Sequence, residues 1–147
     1  MKIPFLVGRL VFGGFFLYNG INHFQRRRTL AQYAGSKHVP APDLGVALSG
    51  AVLLIGGTSI LLGIKPKIGT AAILAFLAGV SPTMHDFWHA DDPAQRHNDM
   101  IQFSKNMALL GAALALLGVE EPWPASVPVA QPSRTERVLH FARRLAA

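Results

Sequence analysis

Residues 44–84 read LGVALSGAVLLIGGTSILLGIKPKIGTAAILAFLAGVSPTM. The stretch holds two apolar runs, residues 44–64 and 68–84. Neither carries a charged residue, and only Lys65-Pro66-Lys67 separates them. A helix on the surface of a soluble protein shows a polar face at a period of 3.6 residues, and neither run shows one. A bilayer core ~30 Å thick needs about 20 helical residues at ~1.5 Å each. The first run meets that length, and the second meets it if His85, Asp86 and Phe87 continue it. Two membrane spans joined by a basic turn are therefore expected here.

Working outward, the same pattern recurs on both sides. Residues 3–24 are apolar, with FGGFFL at residues 12–17 and Arg9 as the only full charge. Residues 100–119 are apolar with one charge, Lys105. Backbone groups in hydrocarbon must be satisfied within the segment, so each span is expected to be helical. The fold class expected is all-α: a four-helix transmembrane bundle with a short C-terminal amphipathic helix. The spacing of Ala71, Ala75 and Gly79, and of Gly45 and Ser49, suggests stripes along which helices approach closely. Arg9 reads as an anchor whose head reaches the first interface, and Phe87 and Trp88 as aromatics of the interfacial belt. The first span opens on Met1-Lys2 as a signal peptide does. Its apolar stretch is long, however, and no small-residue cleavage motif precedes Arg26-Arg27-Arg28, so it reads as retained.

The span domain occupies residues 1–121. Residues 122–132 form a stiff linker rich in proline, with Pro122, Pro124, Pro128 and Pro132. Residues 133–147 begin with a capping-box pattern, Ser133 with Glu136. Val138, Phe141, Ala142 and Leu145 then share one helical face, while Arg137, His140, Arg143 and Arg144 lie mostly elsewhere. That is the pattern of a basic helix lying on an anionic leaflet.

Composition agrees. Half of the 147 residues are hydrophobic, 15% are charged, and the net charge is +6. Mean hydropathy is +0.31. These values exclude a disordered chain. The absence of cysteine excludes a disulfide framework, Cys-ligated zinc or iron–sulfur, and a dithiol relay. A basic chain suits nucleic acid or an anionic membrane, and the spans favour the lipid bilayer. No nucleic-acid partner is expected. Four spans put both termini on one side, with Lys2, Lys65, Lys67, Arg134, Arg137, Arg143 and Arg144. The other side has Arg26, Arg27, Arg28, Lys37 and Arg96. The larger basic count favours cytoplasmic termini, although the triple arginine pulls the other way.

Polar groups inside spans are expensive and mark functional sites. Asn19 and His23 are four apart at the end of the first span. His85 and His89 are four apart at the end of the third, with Asp86 and Trp88 between them. Gln102, Lys105 and Asn106 share a face early in the fourth. Alternating spans carry all three groups to the membrane side opposite the termini, which predicts a polar pocket opening there. Asp86 and Lys105 are its expected ion pair. The candidate catalytic residues are His85, Asp86 and Lys105; Asn19, His23, Gln102 and Asn106 are candidate ligand-binding residues. The His85-x-x-x-His89 spacing can seat two imidazoles on one metal, but the glutamate of the zinc-protease motif is missing and no third ligand stands out. No metal, flavin or nicotinamide cofactor is expected. Asp91, Asp92, His97 and Asp99 read as a solvated loop. Ile21-Asn22-His23-Phe24 and Met84-His85-Asp86-Phe87 hint at a duplicated hairpin with two equivalent histidines.

Several of these blocks together resemble the DoxX family of small bacterial membrane proteins. They are Gly8-Arg9-Leu10, Gly13-Gly14, Gly20-Ile21-Asn22-His23-Phe24, Pro40-Ala41-Pro42, His85-Asp86-Phe87-Trp88, and Phe103-Ser104-Lys105-Asn106 running into Met107-Ala108-Leu109-Leu110-Gly111. The resemblance spans roughly residues 4–119 and leaves out the tail. It implies a four-helix protein of the bacterial inner membrane, associated with redox chemistry at the quinone pool. One branch, DoxD, is linked to thiosulfate:quinone oxidoreduction. The matching positions are Arg9, His85, Asp86, Lys105 and Asn106, while Ser49 stands where many members carry an acidic residue. Two functions follow. In one, the polar pocket takes a quinone headgroup, with Lys105, Asn106 or His85 donating hydrogen bonds and His85 or Asp86 relaying protons. Electrons would then pass to a redox partner subunit. In the other, the chain is a non-catalytic assembly or scaffold subunit of a membrane complex. Homo-oligomerisation is compatible with either, and transport by so small a bundle would require it.

Overall fold

The computed structural model describes residues 3–128. The expected helix over residues 133–147 and the end of the linker lie outside the described residues. Five α-helices follow in order: α1 (Ile3–Gln25), α2 (Arg27–Ser36), α3 (Pro42–Leu62), α4 (Pro66–Met84) and α5 (Pro93–Leu117), with a 3₁₀ turn at Phe87–His89 between the last two. Among the described residues there is no strand. Helices α1, α3, α4 and α5 are long and apolar enough to cross a membrane, and at most a third of each apolar window is buried inside the protein. Ile3, Val7, Val11, Leu44, Leu48, Ile55, Ile68 and Leu114 point outward. Such an apolar exterior is stable only against lipid. This is a multi-pass membrane protein.

Local chemistry sets the helix ends. Pro42, Pro66 and Pro93 each occupy the first turn of a helix, where a missing N–H does no harm. The Asp92 carboxylate accepts from Gln95 N at 2.7 Å and caps α5. α3 ends at Gly63, whose φ of +69° suits glycine. Inside the spans, hydroxyls turn back to their own helix: Thr70 donates to Pro66 O at 2.8 Å and Ser81 to Leu77 O. Their polar hydrogens are thereby kept from hydrocarbon.

The helices pack in the order α1, α3, α4, α5. The α1–α3 seam is the tightest. A Cβ at Gly57 would stand 2.6 Å from Leu17 N, and one at Gly20 would stand 2.7 Å from Leu54 N. The two backbones are thus nearly in contact, as glycine permits in membrane helices. The expected stripe of Ala71, Ala75 and Gly79 does not make such a seam. It lies on the exposed side of α4, and Gly79 has nothing within 4 Å of where its Cβ would be. α4 instead meets α3 through Gly69 and Gly56. Phe12, Phe16, Leu53, Ile60, Ile73, Leu77, Ala113 and Trp123 form the core.

Two more expectations give way. Arg9 does not reach outward. It is 2% exposed, and its guanidinium donates to Pro124 O at 2.7 Å, Ala125 O at 3.1 Å and Leu61 O at 3.2 Å. The carbonyls left over at the end of α3 and in the segment after α5 are its acceptors. That segment folds back over the bundle end, seats Trp123 edge-on to Phe5 at 5.5 Å, and donates from Val127 N to Leu62 O. The second departure is α2, a short helix formed within the basic loop. It is too short to span. It packs on α3 and delivers Lys37 to the far end of the bundle.

Candidate functional site

All the candidate residues gather at the bundle end opposite Arg9. In α1, Asn19 Nδ2 donates to Phe15 O at 2.7 Å, and His23 Nδ1 lies 2.8 Å from Asn19 O. A carbonyl only accepts, so His23 Nδ1 carries the hydrogen and Nε2 is left as an acceptor. In α5, Lys105 Nζ donates to Gln102 Oε1 one turn earlier. Asn106 faces inward at 8% exposure.

A cavity of about 220 Å³ lies between α1, α4 and α5. Asn19, His23, His85, Lys105 and Asn106 line its polar part; Phe16, Leu53, Phe76 and Leu109 are among its apolar lining. The structure therefore brings together five of the seven candidates. His23 and His85, the pair singled out by the weak internal repeat, both line it. Gln102 stands behind Lys105 as its hydrogen-bond acceptor, and Asp86 faces away into another set of contacts.

An apolar groove of about 430 Å³ adjoins this cavity. It is lined by Pro42, Gly45, Val46 and Ser49 of α3 and by Ala75, Gly79 and Thr83 of α4. His23, Leu30, Tyr33, Phe76, Val80 and Met84 belong to both walls. The small residues of α4 thus leave room for a groove between helices and do not draw one helix onto another.

The expected Asp86–Lys105 pair does not form. Asp86 Oδ1 instead accepts from Lys37 Nζ at 2.7 Å. Lys37 also donates to Asp99 Oδ2 at 3.0 Å. The reason is α2, which places Lys37 over the ends of α4 and α5, nearer to Asp86 than Lys105 can reach. Asp99 is a second correction. It is not in a solvated loop: α5 starts six residues earlier, at Pro93, and buries Asp99 to 1% exposure. Its Oδ1 lies 3.5 Å from His85 Nδ1, and both atoms are buried without a hydrogen bond among the described residues. Beyond Asp86, His89 Nδ1 stands 3.6 Å from Oδ2.

Burial alone would lower the Lys37 pKa, but its hydrogen bonds to Asp86 and Asp99 outweigh that and hold it above the ordinary lysine value. Burial, then the Asp99 charge, raises the Tyr33 phenol above its usual range, partly offset by Lys37. Among the described residues no group of three or more His, Asp or Glu side chains is arranged to hold a metal ion. His85 and His89 each face a different carboxylate. Phe87 and Trp88 stack edge-on with Phe103, at 5.5 and 5.7 Å, closing the turn between α4 and α5.

Hydropathy singled out polar groups within spans, so it missed Lys37, Tyr33 and Asp99 in what read as loops. The one available signal was the loop's own length and its helix-compatible sequence, RRTLAQYAGS.

In comparison with known proteins, the family model DoxX matches residues 5–86. The match takes in α1 to α4 and ends at Asp86, leaving α5 outside. No curated protein matches, and no solved structure matches.

Proposed function

This chain belongs to the DoxX family, and on that footing we propose that it binds a membrane quinone at the α1–α4–α5 cavity and takes part in redox chemistry at the quinone pool. The observation that carries the reading is the pair of adjoining spaces. One has hydrogen-bonding groups, and the other is an apolar groove between α3 and α4. A ligand with a polar ring and an isoprenoid chain matches both. The smaller cavity suits a single ring, and the groove lies on the lipid-facing side, where a chain can enter from the bilayer.

A bound quinone would supply two-electron redox chemistry coupled to proton uptake and release. The chain's own residues would hold the ring. Lys105 and the Asn106 amide are donors to a carbonyl oxygen, and His23 Nε2 is an acceptor for a hydroxyl. Gln102 fixes Lys105 by accepting one of its hydrogens. His85, on the opposite wall, is the group suited to exchange a proton with the ring. Electrons would leave to a partner subunit. The bacterial inner membrane, with both termini cytoplasmic, is part of the same proposal.

The test is direct. Protein purified in mild detergent is extracted with solvent, and quinone is measured by mass spectrometry against protein. We expect stoichiometric quinone from the wild type and loss of it from Lys105→Met, with melting temperature unchanged. An empty wild-type protein, from membranes that contain quinone, would overturn the reading and favour an assembly or scaffold subunit.

A further inference from the structure

Five titratable side chains form a series from the cavity wall to the surface, with two hydrogen bonds at its centre and a close approach of 3.5 or 3.6 Å at each end. His85 lines the cavity. Its Nδ1 faces Asp99 Oδ1 at 3.5 Å; Asp99 Oδ2 accepts from Lys37 Nζ at 3.0 Å; Lys37 Nζ donates to Asp86 Oδ1 at 2.7 Å; Asp86 Oδ2 faces His89 Nδ1 at 3.6 Å. Side-chain exposure along the series is 19, 1, 11, 27 and 75%. It is dry in the middle and wet at one end. The series joins three elements that are remote in sequence: α2, the α4–α5 turn and α5.

We propose that His85, Asp99, Lys37, Asp86 and His89 form a proton path between the α1–α4–α5 cavity and the surface at the membrane side opposite the termini. Three features support a path over a purely structural ion cluster. First, Lys37 already offsets one carboxylate, so a structural cluster needs only one acid, yet two are present. Second, the buried Asp99 Oδ1 and His85 Nδ1 lie 3.5 Å apart, and neither makes a hydrogen bond among the described residues, so each is free to take up or release a proton toward the other. A buried acceptor without a hydrogen bond is costly, and a role in proton transfer is one reason for a protein to keep it. Third, the series ends at an exposed imidazole, whose two ring nitrogens let it meet Asp86 on one side and water on the other.

The proton balance closes at each step. His85 Nε2 takes a proton from the cavity while Nδ1 gives its own to Asp99 Oδ1. The Asp99 carboxyl turns its acidic hydrogen from the Oδ1 side to Oδ2 and gives that proton to Lys37 Nζ as the ammonium passes one of its own to Asp86 Oδ1. The same turn at Asp86 carries the hydrogen to Oδ2, which gives it to His89 Nδ1 while His89 Nε2 serves for release to water. One proton enters, one leaves, and every group recovers its starting charge; His85 is left with its hydrogen on Nε2 and resets to the Nδ1 tautomer before the next transfer. Tyr33 from α2 and Lys105 from α5 are the other titratable groups facing this region. No electron moves in the series. The path serves the quinone reading, because a ring hydroxyl in the cavity would be its proton source.

The experiment is a pH jump on the full chain in detergent, with isotope-labelled histidine followed by time-resolved infrared spectroscopy and assigned by His→Gln variants. It is paired with an equilibrium titration by NMR. In Asp99→Asn we expect the His85 midpoint to fall by about one unit or more, since a carboxylate within hydrogen-bonding reach favours the imidazolium. We expect its response to the jump to slow by about tenfold or more. His89→Gln, exposed and safe for folding, should slow the His85 response while leaving its midpoint in place. Calorimetry with a short-chain benzoquinone, repeated in buffers of different ionisation enthalpy, then counts protons exchanged on binding. Wild type should exchange a measurable fraction, and Asp99→Asn none while still binding. If both variants keep wild-type His85 kinetics, or if Asp99→Asn changes only the melting temperature, the path is wrong. If the His85 response depends on Asp99 and His89 but wild type does not bind the benzoquinone, the path stands and the quinone reading falls.

Discussion

Lys37 and Lys105 carry the same charge but sit in different surroundings. Lys37 is clamped by two carboxylates, one of them fully buried. Lys105 is exposed and meets only an amide oxygen. Replacing one partner of a buried pair leaves an uncompensated charge, at about 3–5 kcal/mol. Lys37→Met should approach the lower end of that range, because Asp86 is 27% exposed. Lys105→Met should alter stability by about 0.5 kcal/mol or less. Thermal unfolding in detergent separates the two, and equal losses would contradict the assigned contacts. The pH dependence has a definite sign. The Lys37 pKa is raised in the folded protein, so its stabilisation is complete below the ordinary lysine value and fades as pH rises through the higher folded value. Unfolding midpoints should fall in that alkaline window, and less so in Lys37→Met. Neither Lys37 nor Asp99 stood out in the sequence. A charge outside an apolar run has no hydropathy signature, and nothing in the sequence announces that two residues 62 positions apart will meet.

At the scale of the helix, the α1–α3 seam is the element on which the bundle depends. Its glycines allow backbone contact, and a methyl group there has no room. At Gly57 the obstructing atoms are the backbone of Leu17 and Gly13. Backbone cannot swing aside, so Gly57→Ala should cost about 1–3 kcal/mol and loosen α1 from α3. Gly111, in α5, has nothing within 4 Å. Gly111→Ala should be neutral or stabilising by up to ~1 kcal/mol, the helix propensity of alanine over glycine. Melting temperatures of the two variants decide it, and similar behaviour would rule out the seam. The sequence showed the spacing of small residues but not their partners. The stripe on α4 has the right period and faces a groove, whereas the seam runs through Gly13, Gly20 and Gly57, whose spacing is less regular. Helix α2 was hidden for a related reason. Its ten residues carry two arginines and make a poor apolar face alone. It packs only because α3 offers a surface.

For the whole molecule, four crossings place α2 and the α4–α5 turn on one side and the α3–α4 turn and residues 118–128 on the other. The lack of native cysteine makes this easy to test. Single cysteines at Arg28 and Gln95 should react with a membrane-impermeant reagent from one side, and those at Lys67 and Glu120 from the other. Labelling of all four from the same side would refute the four-span topology. The number of spans, their helical form and the grouping of polar residues at one bundle end were legible beforehand, because hydrocarbon imposes length, apolarity and internal hydrogen bonding on each segment separately. These are local properties, and a sequence states them directly. Which charge meets which is a different matter. Arg9 turned inward because carbonyls from α3 and from the segment after α5 converge on it. Asp86 passed over Lys105 because a short helix brought Lys37 closer. Asp99 became buried because α5 began earlier than its apolar run. Each outcome depends on distances across the bundle between residues far apart in the chain, and such distances are fixed only when the helices have packed.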